Sequence, residues 1–329
     1  MENNESQTFE SRIDFAGLYE SAIGARSEIS KAIVGLDKIS DLMMVALLSN
    51  GHVLLEGVPG VAKTLMAKSF ARIIDADFSR IQFTPDLMPS DVIGTNIFNP
   101  EKSSFTFRQG PIFSNIILID EINRAPAKTQ SALFEVMEER QITYDHHTYL
   151  LNEPFMVVAT QNPIEHEGTY RLPEAQLDRF MFKLKVGYPT TDEETAILLL
   201  HHQPQSSQKP VDSIQPVITQ TQLVTHKANV GKVHVEQKLI DYIVSIIQHT
   251  RTAKHIYLGA SPRAAVACLQ ASKALAALSG RDFVTPDDIQ YILPNVLRHR
   301  IILTPEREME GASADDVIKQ MLEKVEVPR

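Results

Sequence analysis

Tryptophan is absent from this 329-residue chain and cysteine occurs once, at Cys268. A single thiol rules out an internal disulfide, and no Cys/His cluster has the spacing of a zinc site. Cys268 sits in an apolar, helix-patterned stretch and reads as a small buried hydrophobe. No apolar run reaches the roughly 20 residues that cross a bilayer. The run Leu42–Leu48 is far too short. Positive charge is also in deficit: 32 Lys and Arg against 41 Asp and Glu leave a net charge of −9. That excludes a strong overall field for nucleic acid and leaves only a local basic patch open. The opening Met1-Glu2-Asn3-Asn4-Glu5 is polar and acidic, unlike a secretory signal. Together these features predict a cytoplasmic protein with no membrane insertion.

What is present is the composition of a soluble globular chain, 43% apolar and 22% charged. The length suits one large α/β domain and a smaller one. Residues 1–12 read as a disordered lead-in. Ile39, Leu42, Met43, Ala46 and Leu47 recur at helical spacing and predict an amphipathic helix over 37–49. Strands are predicted at 78–83, 116–120, 155–159 and 182–186, and helices at 126–139 and 174–180. This alternation predicts a parallel sheet sandwiched by helices over 13–190. Thr191-Asp192-Glu193-Glu194 reads as a capping box opening a helix. Gln203–Pro210 is a polar linker, so 191–214 reads as a connecting helix and linker. From 215 to 329 almost everything reads helical: 219–228, 235–253, 262–279, 286–298 and 314–324. Ser261-Pro262 and Thr285-Pro286 mark two of those starts.

The densest chemistry lies in Gly57-Val58-Pro59-Gly60-Val61-Ala62-Lys63-Thr64. It follows the apolar run Val53-Leu54-Leu55 and opens a helical segment, which is the strand–turn–helix setting of a phosphate-binding loop. Backbone N–H groups and the new helix's dipole would cradle phosphates. Lys63 would reach the β- and γ-phosphates of a nucleotide, and Thr64 would ligate Mg²⁺. Ala62 stands where the pattern has glycine, and alanine is expected to enter the helix there with negative φ.

Ile116-Ile117-Leu118-Ile119-Asp120-Glu121 is a fully apolar strand ending in two carboxylates. Such strands occupy the middle of parallel sheets, and ligands bind where they end. Asp120 would hold Mg²⁺ through water, and Glu121 would polarise the water attacking the γ-phosphate. Asn162 closes a further strand, where it suits a contact to the γ-phosphate or the attacking water; an unliganded Asn-Pro turn is the alternative. Arg179 suits an arginine acting on a neighbour's γ-phosphate, or an ion pair with Asp178 or Glu174. Arg263 puts a cation in the first turn of a helix, where anions are favoured, and so is a candidate phosphate sensor. Arg124 would meet a neighbour's nucleotide or bind Glu121. Glu138-Glu139 read as a solvated face, and Arg298 and Arg300 as a solvated helix end, with a subunit interface as the alternative.

Taken together, these residues resemble the AAA+ ATPases, and within them the MoxR family. Arg80-Ile81-Gln82-Phe83-Thr84-Pro85-Asp86, Asp120-Glu121-Ile122-Asn123-Arg124-Ala125, Ala159-Thr160-Gln161-Asn162-Pro163 and Gly259-Ala260-Ser261-Pro262-Arg263 are similar to its signatures in order and separation. The resemblance implies a P-loop sheet followed by a helical lid, with ATP and Mg²⁺ as cofactors. It makes Gly57 to Thr64 the Walker A motif, with Leu65 behind it, and Asp120 and Glu121 Walker B. Asn162 becomes sensor 1, Arg179 the arginine finger and Arg263 sensor 2. Val34 and Gly35 resemble the segment that packs on adenine. Residues 97–107 fall where this clade carries its helix-2 insertion, and Gln141–Leu150 where it carries a hairpin; both usually face a ring's pore. Asp145-His146-His147 replace the usual Asp-Gly, so a loop longer than a two-residue turn is expected.

The family pattern implies a homo-oligomer, a hexameric ring, that remodels, matures or inserts metal into a client protein. It also implies a partner with a von Willebrand factor A-type domain. A nucleic-acid motor is the competing reading, drawing on Lys102, Phe98, Phe105 and Phe107 but opposed by the acidic charge. A GTPase would need Asn-Lys-x-Asp, which the chain lacks. A small-molecule kinase would have no use for Arg179.

Overall fold

The computed structural model of the protein describes residues 15–101, 103–163, 170, 172–202 and 210–328. The expected lead-in at 1–12, most of the linker at 203–210, and Lys102 lie outside the described residues.

Two helices come first, α1 (Ala16–Ser30) and α2 (Asp37–Leu48). Only α2 was legible as periodic sequence, although α1 buries Leu18, Ala22, Ala25 and Ile29 at regular helical spacing. The core continues through β1 (Val53–Gly57), α3 (Lys63–Ile73), β2 (Phe78–Gln82), α4 (Pro89–Ile93), β3 (Gly94–Asn99), β4 (Ser104–Gln109) and β5 (Ile116–Asp120). Next are α5 (Ala127–Glu139), β6 (Gln141–Tyr144), β7 (His147–Leu150), β8 (Met156–Gln161), α6 (Glu174–Leu177) and β9 (Phe182–Val186). Five of these strands form one parallel sheet in the order β2-β5-β8-β1-β9. The strand ending in Asn162 therefore lies between the P-loop strand and the acidic strand.

Alternation along β5 divides the core between the two faces of the sheet. Ile116 and Leu118 join Val53, Leu55, Phe182 and Leu184 in the larger apolar cluster. Ile117 and Ile119 join Leu54, Phe134 and Phe180 on the other face. Helices on both faces explain why β5 is apolar at every position but its last.

After β9, α7 (Thr191–His202) leads to a helical region: α8 (Gln220–Val230), α9 (Gln237–Thr252), α10 (Pro262–Leu278), α11 (Pro286–Leu297), α12 (Pro305–Met309) and α13 (Ala314–Leu322). Between α9 and α12 the short strands β10 (Ile256–Leu258) and β11 (Ile302–Leu303) pair antiparallel, an exception to the expected all-helical pattern. The capping box of α7 lies one residue earlier than expected. Thr190 N–H donates to Glu193 (2.7 Å), because the helix begins at Thr191 and its third residue is Glu193. The larger core cluster runs without a break from the sheet into α9, α10 and α11, so sheet and helical region share one apolar interior.

His52, just before β1, is buried in this core. Its Nε2 lies 3.1 Å from Met137 O, and its Nδ1 accepts the Val157 N–H at 3.0 Å. Burial, aided by the charge of Arg140, pushes its pKa down to about 3. The unfolded chain binds the proton near pH 6.5 and the folded chain does not, so stability is lost as pH falls from about 6.5 towards 3. The slope from this group is about 1.4 kcal/mol per pH unit. Urea midpoints at pH 7 and pH 4.5 are expected to fall further in wild type than in His52→Gln. Equal shifts in the two proteins would show that His52 does not control the acid response.

Candidate functional site

The P-loop is the turn between β1 and α3. Gly57 packs against β9 so closely that an added Cβ would lie 2.5 Å from Val186 O, which restricts the position to glycine. Gly60 is left-handed (φ +88°). So is Ala62, at φ +56°, which corrects the expectation of negative φ. The loop turns sharply enough that its last residue must be left-handed before the helix starts. For alanine that conformation costs about 1–2 kcal/mol, where glycine would cost little. The Lys63 ammonium donates to Gly57 O, curling back across the loop.

At the ends of β5 and β2 the acidic pair is held by neighbours that motif reading passed over. Asp120 is buried and accepts from Arg80 Nε (2.6 Å) and Thr160 Oγ1 (3.2 Å). Glu121 turns out of the strand with φ +56°. Its N–H donates to Thr160 Oγ1 (3.0 Å), and its carboxylate accepts from Gln82 Nε2 (2.9 Å). Arg124 Nε lies 3.2 Å from Glu121, so of its two expected roles the contact with Glu121 is the one seen. Arg80 and Gln82 alternate on the strand next to β5, a signal that needed the strand order to be read. Asn162 is buried immediately beyond β8.

A hydroxyl and a carboxylate are the hard oxygen donors that Mg²⁺ selects, and the buried Asp120 charge is here met by the Arg80 cation. Thr64 and Asp120 thus fit the ion and would hold it; bound, it would neutralise phosphate charge. Beside the P-loop lies a cavity of about 270 Å³ lined by Val34, Gly35, Gly60, Val61 and Ala62. Lys185, Tyr188, Glu193 and Ile197 also line it and were not foreseen, because they come from β9 and α7.

Arg179 and Arg263 lie elsewhere. Both line a cleft of about 430 Å³ between the end of α5, the turns that follow α2 and α6, and α10, and among its described lining residues there is none of the P-loop. Arg263 Nη2 is 2.5 Å from Glu138 Oε1, and Arg179 Nε is 3.3 Å from Glu138 Oε2. Arg179 also lies over the Phe134 ring at 5.8 Å. Glu138 is exposed, as expected of a solvated face, yet its carboxylate meets both arginines, and the contact seen for Arg179 is with Glu138 rather than Asp178 or Glu174.

Asp178 has other work. It accepts from Ser261 Oγ (2.9 Å) and from Arg300 Nε (2.6 Å). Arg300 is buried and also donates to the carbonyls of Asp178, Phe180, Met181 and Val296. Burial pulls its pKa below the usual arginine value, and Asp178 opposes that shift. Arg298 donates to Lys183 O (3.0 Å) and to Asp315 (3.0 Å). Neither arginine is a solvated helix end, because both bind the helical region to the sheet. The expected helix at 174–180 stops at Leu177, where Asp178 and Arg179 turn towards these partners.

The two hairpins meet each other. Phe107 of β4 stacks on Tyr149 of β7 (4.8 Å, 24°) and lies 5.0 Å from Tyr144. Asn96 Nδ2 donates to Asp145 (3.2 Å). Phe98 and Phe105 pair at 5.3 Å on the β3–β4 hairpin and are exposed. The longer loop expected at 145–147 is corrected. Tyr144 pairs with His147 across a two-residue turn in which Asp145 (φ 49°) and His146 (φ 63°) are both left-handed. Asp and His tolerate that region better than most side chains, so the primed turn forms without glycine.

A P-loop beside an acidic strand end, in a sheet ordered β2-β5-β8-β1-β9 and followed by a helical lid, defines a P-loop ATPase of the AAA+ class. The family model for the ATPase family associated with various cellular activities (AAA) matches residues 52–182, and the AAA lid domain model matches 248–321. The chain is 49% identical to the uncharacterized protein YeaC of Bacillus subtilis over 92% of its length and 94% of that protein. It is 44% identical to Chaperone MoxR1 of Mycobacterium tuberculosis over 92% of its length and 81% of that protein. The crystal structure of a candidate ATPase from Cytophaga hutchinsonii superposes with a TM-score of 0.88 at 40% identity, covering 96% of this chain and 97% of that one. This chain belongs to the MoxR family of AAA+ ATPases. No helix among its described residues is long and apolar enough to cross a membrane.

Proposed function

We propose that the protein hydrolyses Mg-ATP in a ring, a hexamer, whose active sites are shared between subunits and drive chaperone-like work on a client protein. The observation that carries this reading is the separation of the two halves of the chemistry. Lys63 and Thr64 open α3 after β1, Asn162 follows β8, and Asp120 and Glu121 lie at the end of β5, three neighbouring parallel strands, whereas Arg179 and Arg263 line a separate cleft. A phosphoryl-transfer site needs both halves, and a second copy of the chain can bring the arginines to the nucleotide.

In this reading Val34 and Gly35 pack on the base, and the P-loop N–H groups and Lys63 bind the phosphates. Glu121 orients and deprotonates the attacking water, and Asn162 fixes that water's position. Arg179 and Arg263 stabilise charge on the neighbour's γ-phosphate. The joined hairpins carry the exposed Phe98 and Phe105, which suit a polypeptide client. The acidic turn at Asp145 disfavours a nucleic-acid backbone. The name of the Mycobacterium tuberculosis relative supports the chaperone reading. Remodelling, maturation or metal-cofactor insertion is the work proposed, in a cytoplasmic setting. The chain has no Asp-x-Ser-x-Ser stretch, so a von Willebrand factor A-type partner would be a separate polypeptide.

Specific ATPase activity measured against protein concentration tests the shared site. It is expected to rise steeply and then level off as rings fill. Activity independent of concentration down to nanomolar protein would point to a self-contained site and overturn the ring mechanism.

A further inference from the structure

Two guanidinium groups converge on one carboxylate. Arg263 and Arg179 each address a different oxygen of Glu138, at 2.5 and 3.3 Å. Arg263 is the second residue of α10. A helix N-terminus ordinarily receives its cap residue's side chain, but Ser261 makes no such bond, and its Oγ donates to Asp178. Asp178 is held in turn by the buried Arg300. The residue before Arg179 and the residue two before Arg263 are thus tied together, and the two guanidinium groups from sheet and lid are built as a pair. An anion between two like charges held on one framework lowers their repulsion.

We infer that Glu138 is that anion in the unengaged subunit, occupying the arginine pair until a neighbour's nucleotide phosphates displace it. This rests on the shared-site reading above. A carboxylate hydrogen-bonded by Arg263 on one oxygen and in ion-pair contact with Arg179 on the other resembles the equatorial oxygens of a γ-phosphate addressed by the same two groups. Engaging a neighbour then exchanges one anion for another rather than exposing two uncompensated cations. Glu138 is a positioning residue: it touches no substrate and sets how readily the arginines leave for it. Its side chain is partly exposed, as is that of Arg263, so the two pairs are individually weak. An effect of about three- to tenfold is expected from removing them.

The test is Glu138→Gln, which keeps the shape and removes the charge, in the full-length protein. ATPase activity is measured against protein concentration and against ATP. The half-activating protein concentration and the ATP concentration for half-maximal rate are both expected to fall three- to tenfold. Unchanged values would make the contact an incidental ion pair and overturn the inference. A lower maximal rate at saturating protein would also overturn it, since Glu138 would then be holding the arginines in their working position. The underlying reading is checked separately by mixing Arg263→Ala chains with Glu121→Gln chains. Activity regained on mixing shows that Arg263 acts across subunits. If no activity is regained, Arg263 does not act across subunits and this inference falls, whatever Glu138→Gln does, while the shared site itself is decided by mixing Arg179→Ala chains with Glu121→Gln chains.

Discussion

Arg179→Ala is expected to lower the maximal ATPase rate about a thousandfold, because an arginine at the γ-phosphate contributes on the order of 10³–10⁵ to phosphoryl transfer. Arg179→Lys is expected to recover little, since a lysine is a point charge without the planar fork that spans two phosphate oxygens. Nucleotide binding, followed with a fluorescent ATP analogue, should be nearly unchanged, because Arg179 does not line the cavity beside the P-loop. The decisive arm mixes Arg179→Ala chains with Glu121→Gln chains. In randomly mixed rings about a quarter of the interfaces join an intact P-loop side to an intact arginine side, so substantial activity should return. No recovery, with rings demonstrably mixed, would mean that Arg179 serves its own subunit or none. The variant should fold normally, as the buried ties in this region belong to Asp178 and Arg300 rather than to Arg179.

Glu121→Gln is the second large effect. A general base contributes about 10²–10⁴ to a proton-transfer step, so turnover should fall by that factor while ATP still binds. The variant is expected to hold ATP in a long-lived complex and so to accumulate assembled rings, measurable by light scattering. Its fold should survive, because the backbone of residue 121 is secured by Thr160 Oγ1 and Gln82 can pair with an amide as it does with the carboxylate. A variant that hydrolyses within threefold of wild type would remove Glu121 from the role of base. Asp120 would then need testing in its place, although its engagement by Arg80 and Thr160 at the buried strand end suits charge compensation rather than proton transfer.

Local pattern carried a large share of the architecture. The fully apolar β5, the Gly57–Thr64 turn and the Pro-initiated helices at Pro262 and Pro286 were legible because strand burial, tight turns and helix starts are decided within a few residues. The two left-handed exceptions, Ala62 and the Asp145-His146 turn, were misread for one reason: residue type sets the cost of positive φ, but the surrounding loop decides whether it is met. The short β10–β11 pair escaped because two and three residues carry no period.

The candidate site divides in the same way. Lys63, Thr64, Asp120, Glu121 and Asn162 are named by short contiguous stretches, since each sits where a strand ends and the chain turns. Arg80, Gln82 and Thr160 lie in stretches that resemble the family's, but their contacts with Asp120 and Glu121 needed the strand order, which sets β2 and β8 on either side of β5. Glu138 is exposed, as a helix end with two glutamates ordinarily is, but nothing near it in sequence announces Arg179 or Arg263. Sequence by itself determined the class of chemistry, because a phosphate loop and a paired-carboxylate strand end are local structures. Tertiary structure alone decided which cation meets which carboxylate, because partners such as Glu138 and Arg263 lie far apart along the chain and only the docking of lid against sheet brings them to one place.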